Sequence, residues 1–291
     1  MTKTVSEVIN LHNQSKTDLN IYVMIKQVPI PKAMKTTAEG LMDRSGKSQM
    51  NPHCTNALEE ALSLKDKVGG TITMVSMGPP NAQQSLNEAI RKGADRAYLL
   101  SDRKLAGSDT WATAEALAKL INHIEEKIDN GRKLDIIFAG LQTIDGDTAH
   151  VGPQVAGRLG INQVTYVEDV IPLKGEYLEI RRIIEGGFQR LKVPYPMMLS
   201  ITHTANVPRG PSLNSSMSAL EKDIILFDIA SIGLPDEHAG LPGSPTVVSR
   251  VKNVQVEHSE TIYYNTGSME ERIEKLTSDL ISNKEQILEN G

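Results

Sequence analysis

The residues best suited to chemistry lie in one glycine- and aspartate-rich stretch, GLQTIDGDTAHVGPQVAGRLG, over residues 140–160. Gly140 follows a short apolar run and allows a ligand to come close to the backbone. Asp145, Gly146 and Asp147 have the composition of a tight turn. The stretch therefore predicts a loop that leaves a strand and can contact a ligand.

A helix is expected to follow this turn, with Asp147 or Thr148 as its cap and Val151, Val155 and Leu159 on its apolar side. A helix that begins at the carboxyl end of a strand presents free N–H groups and a positive dipole end to a phosphate. The carboxylates suit ribose hydroxyls or helix capping, which leaves the backbone amides and Thr148 for phosphate groups. From spacing alone, turn and cap chemistry without a ligand is an equal alternative.

Alternating strands and helices must position this loop. Four apolar or β-branched runs predict strands, and three amphipathic stretches predict helices. The strands are expected at residues 21–25, 71–77, 97–100 and 135–139, and the helices at residues 51–68, 81–92 and 110–128. This alternation is typical of an α/β fold with a parallel sheet, in which ligands gather at the carboxyl ends of the strands. We therefore expect the loops after Ile25, Met77, Leu100 and Ala139 to meet.

The second half of the chain has a different pattern. Between Val164 and Thr202, short β-rich runs separated by glycine turns predict antiparallel hairpins that extend the sheet. Beyond Pro208 the chain is rich in Pro, Gly and Ser, and a helix is expected only over residues 269–288, with Ser268 and Glu271 as a capping box. Its apolar stripe favours an arm that packs on another chain.

Composition and charge exclude several classes of function. The 291 residues carry a formal charge of −5, and no run of Lys or Arg exceeds two residues, which argues against nucleic-acid binding. A single cysteine excludes an intramolecular disulfide and multi-cysteine metal sites and fits a reducing cytoplasm. The polar leader of residues 1–18 lacks the apolar core of a signal peptide, and no apolar run is long enough for membrane insertion.

Five segments, in order along the chain, resemble the electron-transfer flavoprotein beta-subunit family. They are YVMIKQVPIP, MNPHCTNALEEALSLK, VSMGPP followed by AIRKGADRAYLL, AGLQTIDGDTAHVGPQVA and RRIIEGGFQRLKVPYP. The resemblance runs from about Ile21 to Leu220. It implies a fold similar to that of the adenine nucleotide alpha hydrolases, with AMP or FAD bound where the strand ends meet.

The resemblance also implies which residues contact the nucleotide. They are Met24, Lys26 and Val28 beside the adenosine, Asn51 and Cys54 in the next block, Met77 and Gly78 at the adenine-side turn, and Gly140, Gln142, Thr143, Asp145, Gly146, Asp147, Thr148, His150 and Val151 in the phosphate and ribose loop. Judged without the family, Asn51 is equally well explained as a helix cap. For Cys54 a small, buried apolar role is the favoured explanation.

A second loop, LAGSDTWAT over residues 105–113, resembles the form found in beta subunits that hold a second FAD and accept hydride from NADH. Ser108, Asp109, Thr110 and Thr113 offer hydroxyls and a carboxylate to the ribityl chain or ring edge of a flavin. The alternative is a simple helix cap at Asp109. The VPIP and DGDTAHVGP segments also resemble this flavin-bifurcating group more than the AMP-binding group.

Partner binding is the last implication of the resemblance. Residues 207–220 match the recognition loop of the family, and Leu213 is in the place of the leucine that contacts a partner dehydrogenase. The expected division is a polar leader (1–18), a nucleotide-binding α/β domain (19–205), a partner-recognition loop (206–222) and a C-terminal arm that packs on the alpha subunit (223–291).

Two functions are consistent with these residues. In the first, the chain is the beta subunit of a heterodimer, binds FAD, takes hydride from NADH and divides the electrons. One goes to ferredoxin or flavodoxin, the other through the alpha-subunit FAD to a flavin dehydrogenase that acts on an acyl-CoA or a hydroxy acid. The cofactor carries this chemistry, so no catalytic side chain is required. In the alternative, the chain binds AMP and is a structural subunit.

Overall fold

The computed structural model describes residues 16–30, 35–36, 42–43, 47–247 and 261–283. Its contacts divide the chain into two compact units, one ending at Val251 and the other beginning at Lys252. The first unit contains the sheet and the helices that cover it. Residues 1–15, most of the expected polar leader, lie outside the described residues.

Nine of the described strands form one mixed sheet in the order β11-β10-β9-β12-β8-β1-β6-β7-β13. The strands are β1 (Leu19–Met24), β2 (Gln27–Pro29), β3 (Lys35–Thr36), β4 (Met42–Asp43), β5 (Ser48–Met50), β6 (Gly70–Met77), β7 (Arg96–Leu100), β8 (Ile136–Gly140), β9 (Asn162–Pro172), β10 (Tyr177–Ile184), β11 (Gly187–Pro194), β12 (Met197–Ile201) and β13 (Ile224–Phe227). Strands β9, β12, β8, β1, β6, β7 and β13 are parallel, whereas β10 and β11 add an antiparallel extension. Two small antiparallel pairs, β2 with β5 and β3 with β4, lie outside this sheet.

Helices cover both faces of the sheet. They are α1 (Pro52–Val68), α2 (Gln83–Lys92), α3 (Thr110–His123), α4 (Val151–Leu159) and α5 (Leu213–Ser218) in the first unit and α6 (Met269–Ser282) in the second. A short π-helix extends α3 over Ile124–Ile128. Apolar residues of α1 and α2 share one core cluster with Ile21 and Val23, and those of α3 and α4 share another with Tyr22 and Met24. Alternate side chains of the fully buried β1 therefore hold together two helix layers.

The expected α/β class and its parallel sheet with an antiparallel extension are confirmed. β1 is the middle one of the seven parallel strands and is buried along its whole length, as its continuous apolar sequence predicts. One detail is wrong: Met197–Ile201 is a fully buried parallel strand between β8 and β9, and it is not part of a hairpin. Apart from Ser200, its run MMLSI is apolar, which is typical of an internal parallel strand.

Residues 224–227 also differ from expectation. They pair in parallel with β7 and complete one edge of the sheet, so this part of the segment assigned to the arm belongs to the α/β body. The run IILF is only four residues long and is surrounded by polar residues. Nothing in the pattern distinguishes such a short run from a loop.

In the second unit, α6 begins with the expected capping box of Ser268 and Glu271. Ile273, Leu276 and Leu280 of its apolar stripe are exposed, which agrees with an unpaired amphipathic helix. The expected helix ran to residue 288, but residues 284–288 lie outside the described residues. Within the described ranges, no helix has both the length and the apolar character needed to cross a bilayer.

Candidate nucleotide-binding site

The strand order places a crevice between the carboxyl ends of β1 and β8. The chain leaves β1 through α1 toward β6 on one side, whereas β8, on the other side of β1, is followed by α4 on the opposite face. Ligands of open α/β sheets bind at such a switch point, because the loops on its two sides diverge there. The residues brought together are those after Met24 and those after Gly140, as the sequence predicts.

An ion pair joins the two sides of this crevice. Lys26 Nζ lies 2.8 Å and 2.9 Å from the carboxylate oxygens of Asp145. The Asp145 side chain is fully buried, whereas that of Lys26 is 40% exposed. Lys26 therefore neutralises a buried negative charge beside the expected phosphate position. The ion pair explains why an aspartate is tolerated in a loop that is expected to face an anion, because its charge is neutralised.

Asn51 ties the same loop to the start of α1. Its side-chain nitrogen donates to the carbonyl oxygen of Gln142 at 2.8 Å, and its side-chain oxygen accepts from the N–H of Ile144 at 3.2 Å. Asn51 is at the N-cap position of α1, but its side chain makes no capping hydrogen bond. Its backbone N–H donates to Lys26 at 2.9 Å. The helix-cap explanation of this side chain is therefore wrong, and its role is to hold the loop.

Gly140 is required by a close approach between backbones. A Cβ atom at this position would lie 2.6 Å from the carbonyl carbon of His53 and 2.8 Å from the nitrogen of Cys54. The first turn of α1 therefore packs directly on the end of β8. Cys54 itself is buried beside Asn51, and burial raises the pKa of its thiol. Its burial agrees with the small, buried apolar role favoured above.

The predicted tight turn forms over residues 143–147. The N–H groups of Gly146 and Asp147 both donate to the carbonyl oxygen of Thr143, at 3.2 Å and 2.9 Å. Asp147 and Ala149 have positive φ values of 50° and 57°, which non-glycine residues adopt only at some cost. The turn is therefore closed by its own backbone, and its conformation agrees with the Asp-Gly-Asp composition.

The helix after the turn begins later than expected. α4 starts at Val151 with His150 at the N-cap position, and it has no side-chain cap. The expectation that Asp147 or Thr148 caps it is wrong, because the positive φ values at 147 and 149 add residues before the helix. Asp147, Thr148 and His150 are exposed instead. The first N–H groups of α4 thus lack a side-chain acceptor, which suits an anion at this end.

The residues expected near the adenine lie on the β1 and β6 side of the crevice. Met24 ends β1 and is buried, and Val28, also buried, lies in β2 opposite Gln49 of β5. Met77 ends β6 and is half-buried, and the N–H of Gly78 donates to Leu100 at 3.0 Å. Apolar side chains at two neighbouring strand ends provide a surface suited to a flat ring.

Buried polar atoms without a partner lie around the same edge. Among the described residues, Ser76 Oγ, Ser200 Oγ, His53 Nδ1 and Gln154 Oε1 are buried and make no hydrogen bond. Ser76 and Ser200 are the penultimate residues of β6 and β12, and His53 and Gln154 lie near the starts of α1 and α4. Buried polar groups are normally paired. Their location fits a bound group rich in hydroxyls and phosphate oxygens, such as AMP or FAD.

Two histidines near this edge were not predicted. The rings of His53 and His203 meet edge to face, with centroids 5.6 Å apart. Burial lowers the pKa of His53, His203 lowers it further, and Asp147 opposes the change. His203 follows β12, and it lies at this edge because β12 is parallel to β8. The hairpin expected over these residues did not place it there. Recognising MMLSI as a buried run would have indicated it.

The second loop has a structural explanation for its carboxylate. Asp109 caps α3, accepting from the N–H of Ala112 at 3.0 Å, and it also accepts from the N–H and hydroxyl of Thr246 at 3.0 Å and 2.7 Å. Burial tends to raise the pKa of Asp109, but these hydrogen bonds lower it overall. Ser108 donates its hydroxyl to Leu105 at 2.8 Å. The helix-cap alternative for Asp109 is therefore confirmed.

Thr110 and Thr113 lie half-buried in the first turn of α3. Between them, Trp111 is half-exposed, and the guanidinium carbon of Arg158 from α4 lies 4.1 Å from its ring centroid. Arg158 also donates to the carbonyl oxygen of Trp111 at 3.0 Å. The two predicted ligand loops are thus connected through the packing of α3 against α4.

Leu213 is the first residue of α5, and its side chain is 76% exposed. Met217 is also exposed and lies one turn after Leu213 on the same side of α5. Leu220, in the 3₁₀ turn that follows α5 (Ala219–Glu221), is exposed as well. Ser212 caps α5, and the Ser215 hydroxyl donates to the backbone of Arg91 at 2.7 Å. The expected recognition loop therefore presents an apolar surface.

The sheet topology and the crevice define an α/β protein of the doubly wound class. Comparison with known proteins identifies the family: a profile of the electron transfer flavoprotein domain matches residues 40–231. The chain is 40% identical to the electron transfer flavoprotein subunit beta of Thermoanaerobacterium thermosaccharolyticum, over 91% of this chain and 98% of that protein. It is 39% identical to Protein FixA of Azorhizobium caulinodans, over 84% and 90% of the two chains.

A third relative is the caffeyl-CoA reductase-Etf complex subunit CarD of Acetobacterium woodii, which is 42% identical over 80% of this chain and 87% of that protein. The chain belongs to the electron transfer flavoprotein family, as a beta subunit. Beta subunits of this family pair with an alpha subunit.

Proposed function

We propose that this chain binds FAD in the crevice between β1 and β8 and, paired with its alpha subunit, takes hydride from NADH and divides the electrons between two acceptors. When bound, FAD supplies the redox chemistry. The acceptors are ferredoxin or flavodoxin on one side and, through the alpha-subunit FAD, a flavin dehydrogenase on the other. A reducing cytoplasm is the proposed location, in agreement with the single cysteine.

The observation that carries this proposal is the uncapped start of α4 beside a loop that Asn51 holds in place. The N–H groups at Val151 and Gly152 are suited to phosphate oxygens, whereas Pro153 has no N–H to contribute. The Lys26–Asp145 ion pair at the same edge is neutral, so the Asp145 carboxylate does not repel an anion there as an unneutralised charge would. Gln142, Thr143 and Thr148 offer polar groups to the ribose and phosphates.

Residues at the start of α3 are proposed to contact the flavin as well. Ser108, Thr110 and Thr113 lie at the start of α3, next to the half-exposed Trp111. Asp109 fixes the geometry of this loop through its cap. The hydroxyls are proposed to orient the flavin, and Asp109 is proposed to orient the hydroxyls.

An AMP-binding structural subunit is the second candidate function. The specific observation in its favour is that the Asp109 carboxylate is already used by Ala112 and Thr246. A carboxylate occupied in this way contributes little to a flavin. AMP would use the same phosphate and adenine positions at the β1 and β8 ends.

The proposed partners follow from two exposed surfaces and one relative. The apolar stripe of α6 is proposed to pack on the alpha subunit, and Leu213 is proposed to contact the dehydrogenase. The relative from Acetobacterium woodii is named as part of a complex with caffeyl-CoA reductase, which supports a dehydrogenase of the acyl-CoA type.

The experiment that tests this function is a titration of the purified alpha and beta complex with NADH under anaerobic conditions, while the visible flavin absorption is recorded. The proposal predicts bleaching in a two-electron step at substoichiometric NADH. An absorption that does not respond to NADH would contradict it and would favour the AMP-binding alternative.

A further inference from the structure

We propose that Arg209 is a positioning residue for the docking helix α5: by binding Glu59 and Asp66 of α1, it fixes where Leu213 lies relative to the nucleotide site. The inference rests on the proposed function, because that function gives α5 its role in dehydrogenase docking. It adds a residue that acts through its contacts with α1.

The contacts of Arg209 are unusually complete for one side chain. Its Nε lies 3.0 Å from both carboxylate oxygens of Glu59, its Nη2 lies 2.9 Å from one of them, and its backbone N–H donates to the other at 2.8 Å. Its Nη1 donates to Asp66 at 2.8 Å. The Glu59 side chain is only 9% exposed. A planar guanidinium can make this forked arrangement, and an ammonium cannot.

A second set of hydrogen bonds holds the same segment at Asn206, three residues before Arg209. Asn56 donates to the backbone and side-chain oxygens of Asn206, each at 3.0 Å. Asn206 donates back to the Asn56 carbonyl oxygen at 3.1 Å and to Glu60 at 3.0 Å. Asn56, Glu59 and Glu60 are all buried polar residues of α1. Three successive positions on one helix face are therefore committed to residues 206–209.

The contacts of Asn206 and Arg209 with α1 lie between the nucleotide loop and the docking helix α5. Residues 202–209 leave the carboxyl end of β12 at the crevice and lead to Ser212, the cap of α5. Asn51, which holds the nucleotide loop, immediately precedes α1, and Glu59 lies eight residues further on. At 1.5 Å per residue this is roughly 12 Å along one rigid helix. α1 therefore sets the distance between cofactor loop and docking helix.

The position of α5 depends on contacts that involve residues outside the helix. The helix has six residues and no buried side chain, and a helix this short is unstable without external contacts. Ser215 provides one contact, to Arg91 of α2. Arg209 provides the fixed point on the N-terminal side. The guanidinium is thus placed to hold the exposed Leu213 at the start of α5 in a defined position.

The test uses the intact heterodimer with four variants of this chain: Arg209→Gln, Arg209→Lys, Leu213→Ala and, as a matched control, Arg190→Gln. Arg190 forms an exposed ion pair with Glu179 at 2.9 Å on the β10–β11 hairpin, so its loss is a comparable chemical change far from α5. The measurements are the KM and kcat of the partner dehydrogenase with the heterodimer as electron acceptor or donor, flavin content, and hydrogen exchange of residues 207–220.

We expect Arg209→Gln to raise KM about tenfold with kcat and flavin content unchanged, and Arg209→Lys to raise it less, because positioning changes docking and not the cofactor. Hydrogen exchange over residues 207–220 should accelerate in both variants. Arg190→Gln should match the wild type. If Arg209→Gln loses flavin through misfolding, Arg209→Lys, which keeps the charge, decides the outcome.

The results separate two failures. If Leu213→Ala raises KM but both Arg209 variants leave KM and exchange unchanged, the positioning role is wrong while docking through Leu213 stands. If Leu213→Ala also has no effect on KM, the proposed docking role of α5 itself fails.

Discussion

The Asn51 side chain donates a hydrogen bond of 2.8 Å to the carbonyl oxygen of Gln142, and so joins the residue that precedes α1 to the loop that leaves β8. Asn51 is fully buried, and its side-chain oxygen accepts from Ile144 at 3.2 Å. This amide therefore helps to hold the loop whose turn and helix start are expected to receive the phosphates.

Replacing Asn51 by Ala should release the loop. Both hydrogen bonds disappear, and the partly buried carbonyl of Gln142 and N–H of Ile144 lose their Asn51 partner, which costs about 0.5–1.5 kcal/mol for each bond. We expect a lower free energy of unfolding and a heterodimer purified with a substoichiometric cofactor. Chemical denaturation and cofactor content measure the two effects.

Asn162→Ala is the matched control, because its amide is exposed and makes one long hydrogen bond of 3.5 Å to Pro194. It should change neither quantity. A fully loaded, equally stable Asn51→Ala heterodimer would contradict the role of Asn51.

Gly140→Ala should disturb the contact between β8 and α1. The added Cβ would lie 2.6 Å from His53 and 2.8 Å from Cys54 backbone atoms, and such overpacking costs about 1–3 kcal/mol. Thermal unfolding of the variant should begin at a lower temperature. Gly157→Ala is the control: position 157 lies in α4 with open space around it, so the substitution should be neutral or stabilising. Equal melting temperatures for the two variants would contradict the close approach.

Asp109→Ala should destabilise the start of α3 and free the segment around Thr246. Loss of an N-cap costs about 0.5–2 kcal/mol. The pKa of Asp109 is lowered in the folded state, so its contribution is present above its ordinary value of 3.8 and is lost as the pH falls through the folded-state pKa. Limited proteolysis should show earlier cleavage near Thr246 in the variant. Thr246→Val, which keeps the cap, should lose less stability, and the opposite order would contradict the dual role.

His53 should make stability depend on pH. Its pKa is lowered by burial and by His203, so its stabilising effect is present above its ordinary value of 6.5 and declines as the pH falls through the folded-state pKa. The unfolded chain takes up the proton more readily than the folded chain in that range. His53→Gln should therefore flatten the pH dependence of the free energy of unfolding on the acidic side. Parallel curves for variant and wild type would contradict this prediction.

Local sequence patterns predicted most of the α/β body because strand periodicity and helix periodicity were both strong there. β1, β6 and α1 were placed within two residues of their observed bounds. The continuous apolar character of residues 21–25 correctly indicated a strand buried on both faces. The meeting of the loops after β1 and β8 follows from parallel topology alone.

The failures have physical causes that no local pattern shows. Asn51 precedes Pro52, so the local sequence predicts a helix cap. Its side chain instead binds the backbone of Gln142, 91 positions away in the sequence. Positive φ values at Asp147 and Ala149 delay the start of α4 beyond the expected caps. The sequence around Glu59, Asn206 and Arg209 is typical of exposed polar positions. Their hydrogen bonds join residues about 150 positions apart, which no local pattern indicates.

We propose that this chain itself holds an FAD at the carboxyl ends of β1 and β8. Identifying the cofactors released when the purified heterodimer is denatured tests this proposal most directly. Chromatography with mass detection distinguishes FAD from AMP and gives their amounts per heterodimer. We expect two FAD per heterodimer, with one of them reduced in amount by Asn51→Ala. One FAD with one AMP, or a single FAD with no second adenine nucleotide, would contradict it.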